Sequence, residues 1–435
     1  MIHRGIAALL ALLLSIGALP ARAASQQPDT PPVESFADSL FTQLAGLRGL
    51  SSPGTPPPVV IRSREEIRRY AERELGRKYP AARLEAERKA MVAWGMIPAG
   101  FDLKGSLLDL LQEQAAAYYD PVGKIMVLGD WLAPEERQLA LLHELVHALQ
   151  DREIPLDQYL APAPGESDRL LARQAVIEGE ATALGLDLLL QRQGVDLTRV
   201  PLSAIVQQFA GARLSGPVFS RAPRFLRELL FFPYLQGAIF IQQFRLLHPW
   251  AAMSDLYRDP PRSTAQLLHP EKFFGDREDP LPVTLPDLRA ILARNWRLVA
   301  EDELGEWGLA MAFETFVDPT GGHRLAEGWR GDRYQLWENE RGQPALIYRI
   351  RWEVEGLAGR FAQAYAGLLE KKHAPLAGKA SKGPGPVWSW QDGPHGFLVE
   401  QQGLDVLVLE GMPASAVTPI RQALWPATAP EPASR

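Results

Sequence analysis

The sequence predicts an α+β protein: a mostly helical N-terminal core that contains a small hairpin or sheet, followed by a separate C-terminal α+β domain. Three patterns lead to this prediction. Apolar residues recur at helical spacing between Pro134 and Asp151. A turn at residues 120–123 separates two short strand-like segments. Beyond about Val283, strand-like segments alternate with helical ones.

Composition limits the classes of partner and chemistry. The chain has 435 residues, enough for two or three domains, and its 46% apolar and 23% charged residues are typical of soluble globular proteins. A net charge of −6 disfavours a nucleic-acid partner, so we expect none. The absence of cysteine excludes disulfides and any cysteine nucleophile or ligand.

The N-terminus is typical of a bacterial secretory signal peptide, which we assign to residues 1–23. A positive start and a short apolar run precede a small-x-small cleavage site at Ala21-Arg22-Ala23. An uncleaved anchor is the alternative. We therefore expect a secreted or periplasmic protein with no membrane span after signal removal. Residues 24–58 are interpreted as a Pro-rich linker with one helix candidate near Phe36–Leu47, and residues 426–435 as a disordered tail.

The core domain is assigned to residues 59–200. Ser63 and Glu66 have the spacing of a capping box at a helix start. The Asp-Pro-Val-Gly turn predicts a hairpin between Ala115–Tyr119 and Lys124–Leu128. Two long helices follow, one from Pro134 to about Asp151 and one from Ser167 or Asp168 to about Arg192. Residues 201–282 predict a helical subdomain broken at Gly216 and Pro233.

The C-terminal domain is assigned to residues 283–425. Helices are predicted near Leu288–Trp296 and Glu306–Val317, and a hairpin around Arg341-Gly342. Trp388 and Trp390 flank Ser389 and so lie on one face of a strand. Half-buried sheet packing is the first interpretation, and a platform for peptide or glycan is the alternative.

The first long helix carries a pattern with chemical meaning. His143 and His147 are four residues apart, so they lie on one helical face and can bind one metal ion. Glu144 follows the first histidine and is placed close to the ion without binding it. Zinc chemistry uses this division between two ligands and a carboxylate that acts as general base. Ordinary core or surface histidines are the alternative.

A catalytic zinc site needs a third protein ligand, and the second helix offers two candidates. Glu178 and Glu180 are two residues apart, so both cannot face the same ion. Glu178 shares its helical stripe with small residues that let two helices approach, whereas Glu180 lies on an apolar stripe. We favour Glu178 and keep Glu180 open.

The pattern "HELVH" followed by "EGEAT" resembles the gluzincin metallopeptidases. Such enzymes, which include thermolysin-like and one-zinc aminopeptidases, take their third ligand from a glutamate on the following helix. The likeness covers residues 115–191. The motifs "YYDPVGKIMVL", "HELVHALQD", "EGEAT" and "STAQLLHPEKF" together also resemble a set of uncharacterised secreted bacterial proteins. The second-shell aspartate of the thermolysin type has no match at Thr182. Asp151 and Asp187 are the candidates for orienting the histidines, and for Asp151 we favour the alternative of a solvated aspartate at the helix end.

The resemblance implies a zincin-like fold and a secreted zinc metallopeptidase with one Zn²⁺ per chain. His143, His147 and Glu178 would bind the metal, and Glu144 would serve as general base and then acid. Two rival functions remain open. One is a catalytically silent or zinc-stabilised envelope binding protein on a peptidase-like scaffold, and the other is a zinc hydrolase of non-peptide bonds.

Further site residues follow from the roles that such a reaction requires. Tyr234 and His269 are candidates for stabilising the oxyanion. A peptide or protein substrate is expected to bind as an added strand along an edge strand at Lys124–Leu128. A plain structural hairpin is the alternative there.

Overall fold

The computed structural model describes residues 33–51, 53–211, 216–316, 321–383 and 385–425. The described chain forms two compact units. The first unit contains residues 33–85 and 100–279, and the second contains residues 86–99 and 280–425, apart from the gaps just given. The predicted signal peptide and C-terminal tail lie outside the described residues. None of the described helices is long and apolar enough to cross a membrane.

The first unit is mostly helical, as predicted. Its helices, named in chain order, are α1 (Val33–Arg48), α2 (Arg64–Lys78), α3 (Ala81–Ala93, which continues into the second unit), α4 (Leu103–Gln114), α5 (Pro134–Glu153), α6 (Leu156–Tyr159), α7 (Ser167–Gln191), α8 (Leu202–Gly211), α9 (Pro217–Arg221), α10 (Arg224–Leu247), α11 (Met253–Arg258), α12 (Thr264–Leu268) and α13 (Glu271–Phe274). The predicted long helices correspond to α5 and α7. The capping box is confirmed, because Ser63 and Glu66 bond reciprocally at the start of α2.

Of two predictions about helices in this unit, one is confirmed and one is wrong. The helix candidate within the predicted linker is real, and α1 buries its apolar face through Leu40, Phe41 and Leu44. The predicted break at Pro233 is wrong, since α10 continues through this residue. Proline removes one intrahelical hydrogen bond, and here burial of most of the helix outweighs that loss.

The small sheet of the first unit has three strands: β1 (Val59–Arg62), β2 (Ala117–Asp120) and β3 (Ile125–Gly129). The hairpin of β2 and β3 is confirmed. However, the strand order is β1-β3-β2, with β1 parallel and β2 antiparallel to the central β3. The prediction that Lys124–Leu128 forms a sheet edge is therefore wrong. Both sides of β3 are paired, so its backbone cannot receive a substrate strand, and the edges belong to β1 and β2.

The second unit is built on a seven-stranded sheet in which every described pair is antiparallel. Its strands are β4 (Trp296–Asp302), β5 (Trp329–Asn339), β6 (Pro344–Trp352), β7 (Ser381–Lys382), β8 (Val387–Asp392), β9 (His395–Gln402) and β10 (Asp405–Pro413). Its main helices are α14 (Gly305–Phe316), α15 (Gly322–Ala326), α16 (Glu355–Lys372) and α17 (Ala414–Leu424). The α+β prediction is thus confirmed, as is the hairpin at Gly342.

One predicted helix of the second unit is wrong. Residues 288–295 form turns that lead into β4 instead of a helix. Leu288 and Leu292 are buried in the same core cluster as Trp337 and Leu407. The stretch was predicted to be helical, but these two leucines instead anchor a loop to the core at two points.

A buried carboxylate ties α16 to the sheet of the second unit. Glu410 accepts hydrogen bonds from the Tyr365 hydroxyl and from Lys372 Nζ, both at 2.6 Å, and lies 3.2 Å from His373 Nε2. Burial alone would raise the pKa of this carboxyl. Lys372 and His373 outweigh burial and hold its pKa at about 2.

We predict that this group contributes to acid sensitivity. Because the folded-state pKa lies below the ordinary value of 4.5, the stabilisation is present above pH 4.5 and is lost as pH falls toward 2. The shift corresponds to about 3 kcal/mol. Glu410→Gln should lower the free energy of unfolding at pH 7. In the variant, this free energy should then fall less between pH 4.5 and pH 2 than it does in the wild type. Urea denaturation at pH 7 and across the acid range measures both effects. Glu355→Gln, at an exposed position of α16, is the control. Equal acid losses in the wild type and Glu410→Gln would contradict the assignment.

Candidate metal centre

Helix α5 presents two imidazoles on one face. His143 and His147 lie one turn apart, and their Nε2 atoms are 3.1 Å from each other. The side chain of His143 is 13% exposed and that of His147 is 5% exposed. The site is therefore more open on the side of His143.

Helix α7 supplies a carboxylate to the same point. Glu178 Oε2 lies 3.2 Å from His143 Nε2 and 3.4 Å from His147 Nε2, and its side chain is 1% exposed. These three residues form the one group of histidines and acids, within the described chain, whose ligand atoms converge closely enough to hold a metal ion.

The spacing of the three ligand atoms fits a tetrahedral metal. Zinc bonds to histidine nitrogen and carboxylate oxygen are about 2.0–2.1 Å long, so neighbouring ligand atoms around a tetrahedral ion are roughly 3.3 Å apart. The observed separations of 3.1, 3.2 and 3.4 Å surround that value. Two histidines and one glutamate also leave a fourth position open, as catalytic zinc sites require. The residues present therefore fit zinc.

Without a metal, the charge of the site is balanced by a proton. Burial alone would lower the pKa of His147, but the adjacent Glu178 carboxylate outweighs burial and raises it to about 9. The same contact lowers the pKa of Glu178 against the effect of its burial. A metal ion binds the neutral imidazole, so metal binding must displace this proton.

Glu180, the other candidate ligand, lies in a different environment. Its carboxylate accepts hydrogen bonds from Arg48 Nε at 2.5 Å, from Gln150 Nε2 at 2.8 Å and from the Tyr257 hydroxyl. The structure thus brings Glu178 to the two histidines, while Glu180 is engaged with Arg48. A carboxylate on an apolar stripe needs such partners.

Gln150 orients the second histidine. Its Oε1 lies 2.8 Å from His147 Nδ1, on the side of the ring opposite to the ligand nitrogen. Sequence reasoning missed this residue because it considered only carboxylates for the role. The available signal was its position three residues after His147 on the same helix, where side chains are neighbours.

The two aspartates proposed to orient the histidines do not contact them, and this prediction is wrong. Asp151 accepts hydrogen bonds from the Tyr119 hydroxyl, Lys124 Nζ and the Leu156 amide. Asp187 accepts hydrogen bonds from Trp250 Nε1 at 2.7 Å and from the Leu197 amide at 3.0 Å. Both carboxylates hold neighbouring segments onto the long helices.

Glu144 is held beside the histidines by the small sheet. Its Oε2 accepts a 2.6 Å hydrogen bond from the backbone amide of Tyr119 in β2. The Tyr119 hydroxyl donates to Asp151 Oδ2 at 2.7 Å, so one tyrosine contacts α5 at two points, two turns apart. The Glu144 side chain is buried, and burial raises the pKa of its carboxyl. A raised pKa suits a carboxylate that must accept and return a proton near neutral pH.

Tyr234, from α10, belongs to this site. Its ring centroid lies 5.9 Å from that of His143, and its hydroxyl is hydrogen-bonded to Glu178. Complete burial, followed by the nearby Glu178 and Glu144 carboxylates, raises the pKa of its hydroxyl well above the ordinary value. The phenol therefore stays protonated and can donate a hydrogen bond.

His269 is placed differently. It follows the last residue of α12, and its Nδ1 lies 3.8 Å from Glu271 Oε1. It is not a member of the candidate metal group formed by His143, His147 and Glu178. Its proposed role toward an oxyanion has no structural support in its described contacts.

A close contact between two glycines positions Tyr234. A Cβ atom at Gly179 would lie 2.3 Å from the carbonyl carbon of Gly237, and one at Gly237 would lie 2.0 Å from the carbonyl oxygen of Ala175. Helices α7 and α10 can approach this closely only because both residues lack a side chain. The small-residue stripe of α7 that was predicted to approach α5 does so at Gly185, where a Cβ would meet Leu142 of α5 at 3.4 Å. Gly179 lies outside that stripe and faces α10.

Comparison with known proteins yields one match, which lies outside this centre. Residues 295–421 match a domain of unknown function, DUF8575. This segment belongs to the second unit and contains none of the residues of the metal centre. No curated protein and no solved structure matches the chain.

We predict that Gly237→Ala disturbs both stability and the metal centre. The added methyl group meets backbone atoms that cannot move aside, so the two helices must separate. The free energy of unfolding should fall by about 1–3 kcal/mol, as for other overpacked cores. Urea denaturation measures the loss. Gly185→Ala is the matched control on α7, because its Cβ would meet Leu142 Cγ at an ordinary 3.4 Å. If the two variants lower the free energy of unfolding equally, the close approach of α7 and α10 does not require glycine at position 237.

Proposed function

We propose that the chain is a zinc metallopeptidase with a gluzincin-like catalytic core. The observation that carries the proposal is the triangle of ligand atoms from His143, His147 and Glu178, with edges of 3.1–3.4 Å and Glu144 buried beside it. Two ligands on one helix, the third on a later helix and a small sheet alongside are consistent with a zincin-like fold. The sequence resemblance of "HELVH" and "EGEAT" to gluzincins points the same way.

The proposed chemistry divides between the metal and one carboxylate. When bound, zinc would polarise the scissile carbonyl and lower the pKa of a water molecule at the site. Glu144 takes the proton from that water and passes it to the leaving nitrogen. Tyr119 holds Oε2 of this carboxylate, which leaves Oε1 for the proton transfer.

Tyr234, on α10, is proposed to assist the residues of α5 in the hydrolysis. Its hydroxyl is protonated and bonded to Glu178, and it has one proton to donate. To serve a developing oxyanion, this donor would have to turn from Glu178 to that oxygen. His269, whose Nδ1 lies 3.8 Å from Glu271 Oε1, is given no step in the proposed mechanism, and its role toward an oxyanion stays a prediction. Donors aimed at the developing charge contribute on the order of 10²–10³-fold to rate in other hydrolases.

The substrate strand is proposed to lie along β2. This strand is an edge of the small sheet, and its Tyr119 amide points outward to Glu144. An extended peptide added there would run past the general base and would have to bond to backbone groups of β2 other than the Tyr119 amide, which Glu144 already engages. This location replaces the central strand β3.

The N-terminal pattern supports a place for this activity outside the bacterial cytoplasm. A signal peptide at residues 1–23 would deliver the chain to the periplasm or the medium. The proposed activity would then require zinc and a peptide substrate in that compartment. The lack of cysteine fits either compartment, since the fold depends on core burial and, in our proposal, on a metal.

We predict that Glu144→Gln separates catalysis from metal binding. The amide cannot accept the proton, so peptide hydrolysis should fall by roughly 10²–10⁴-fold, while the zinc content stays at one per chain. Cleavage of a peptide library and elemental analysis measure the two properties. Glu135→Gln, at an exposed position of the same helix, is the control for the loss of charge.

The same assays distinguish the rival functions. Zinc retained without cleavage of any peptide, in the wild type, would contradict the peptidase proposal and favour a zinc-stabilised binding protein. Cleavage confined to an ester panel would favour a zinc hydrolase of non-peptide bonds.

A further inference from the structure

The orientation of the Gln150 side chain is determined by two acceptors. Its Nε2 donates to the Ile177 carbonyl at 2.9 Å and to Glu180 Oε2 at 2.8 Å. An amide nitrogen can donate to both, whereas an amide oxygen in its place would face two acceptors. The Oε1 atom must therefore face His147 and accept a hydrogen bond from it.

This orientation selects the tautomer of the metal-binding histidine. Since Gln150 Oε1 accepts, His147 Nδ1 carries a proton and donates across the 2.8 Å contact. The lone pair of the neutral imidazole is then on Nε2, the atom that faces Glu178 and His143. Outer partners of this kind fix the ring of a metal-binding histidine.

Glu180 can hold Gln150 only if its own charge is compensated. Its side chain is 1% exposed, and among the described residues the cation bonded to it is Arg48, whose side chain is 2% exposed. Arg48 is in turn fixed by the Trp250 carbonyl at 3.0 Å and by Glu153 at 2.8 Å. A buried carboxylate that loses its cation is strongly unfavourable, so the group would have to rearrange.

We propose that Arg48 and Glu180 are positioning residues for the metal centre, acting on His147 through Gln150. This relay rests on the metal site of the proposed function and extends it to the N-terminal helix. Arg48 is the last residue of α1, 132 positions before Glu180. The helix that was predicted as part of a linker would therefore help to position the metal site.

A purely structural role would give a different pattern. If Arg48 only stabilised the packing of α1, its loss would lower stability and leave the affinity for zinc unchanged. If Arg48 acts through Gln150, its loss weakens zinc binding, and the loss has little further effect once Gln150 is already removed. Non-additivity of this kind identifies residues that act in one chain of contacts.

The test is a double-mutant cycle on zinc affinity in the full-length protein. The zinc dissociation constant is measured by competition with a chromophoric chelator for the wild type, Arg48→Met, Gln150→Met and the double variant. Each single variant should bind zinc about 10–100-fold more weakly, as for other outer partners of metal ligands. The double variant should be no weaker than the weaker single variant. The absorption spectrum of the cobalt-substituted proteins should change in the same variants, because the geometry at His147 changes.

Two further variants control for folding. Arg48→Lys keeps a cation opposite Glu180 and should lie between the wild type and Arg48→Met, so it serves if Arg48→Met does not fold. Asp168→Asn removes a buried carboxylate on the same helix α7 that binds Thr264, and it should lower stability without changing zinc affinity.

Unchanged zinc affinity in both Arg48 variants, or full additivity in the double variant, would overturn the relay. Failure of the peptidase proposal gives a different result, in which zinc binds and the cycle is non-additive but no peptide is cleaved. A wild type that binds no zinc would overturn both.

Discussion

Two imidazole nitrogens and a carboxylate oxygen lie within 3.4 Å of one another in the interior of the first unit. Such a group of electron-rich atoms is stable only if a cation or a proton lies among them. Without metal, the Glu178 carboxylate raises the pKa of His147, and the histidines lower the pKa of Glu178, so this contact favours a proton between the two groups. A divalent cation would balance the charge more completely and leave one position open for a substrate.

Much of the surrounding structure serves to hold these three atoms together. Helix α7 carries Glu178 between α5, which bears the histidines, and α10, which bears Tyr234. The contact between Gly179 and Gly237 sets the distance to α10, and Tyr119 sets the distance between α5 and the small sheet. On the far side, Gln150 connects His147 to Glu180 and Arg48. The site is therefore bounded by α5, α7, α10 and the small sheet, with α1 behind Glu180.

The local part of this arrangement was predictable, because helical geometry alone puts His143 and His147 on one face. The choice of Glu178 over Glu180 also followed from helical stripes, and the structure places the two carboxylates accordingly. The α+β class followed from the change of periodicity along the chain.

What could not be predicted depends on contacts between distant segments. The position of β3 inside its sheet is set by the parallel pairing with β1, in which Val59 lies opposite Met126, 67 residues later. Gln150 was missed because its amide is uncharged and only carboxylates were considered as partners of the histidines. Arg48 was missed because it ends a helix in a segment that was interpreted mainly as a linker. The turns at residues 288–295 show that a spacing of four apolar positions does not by itself make a helix.

The most direct test of the central claim is zinc K-edge X-ray absorption on the purified protein, compared with Glu178→Ala. We predict one zinc per chain with two imidazole ligands and oxygen ligands at about 2.0–2.1 Å, and a spectrum in Glu178→Ala that loses the carboxylate oxygen or the metal altogether. A wild-type protein that retains no zinc, or a spectrum unchanged by Glu178→Ala, would contradict the account.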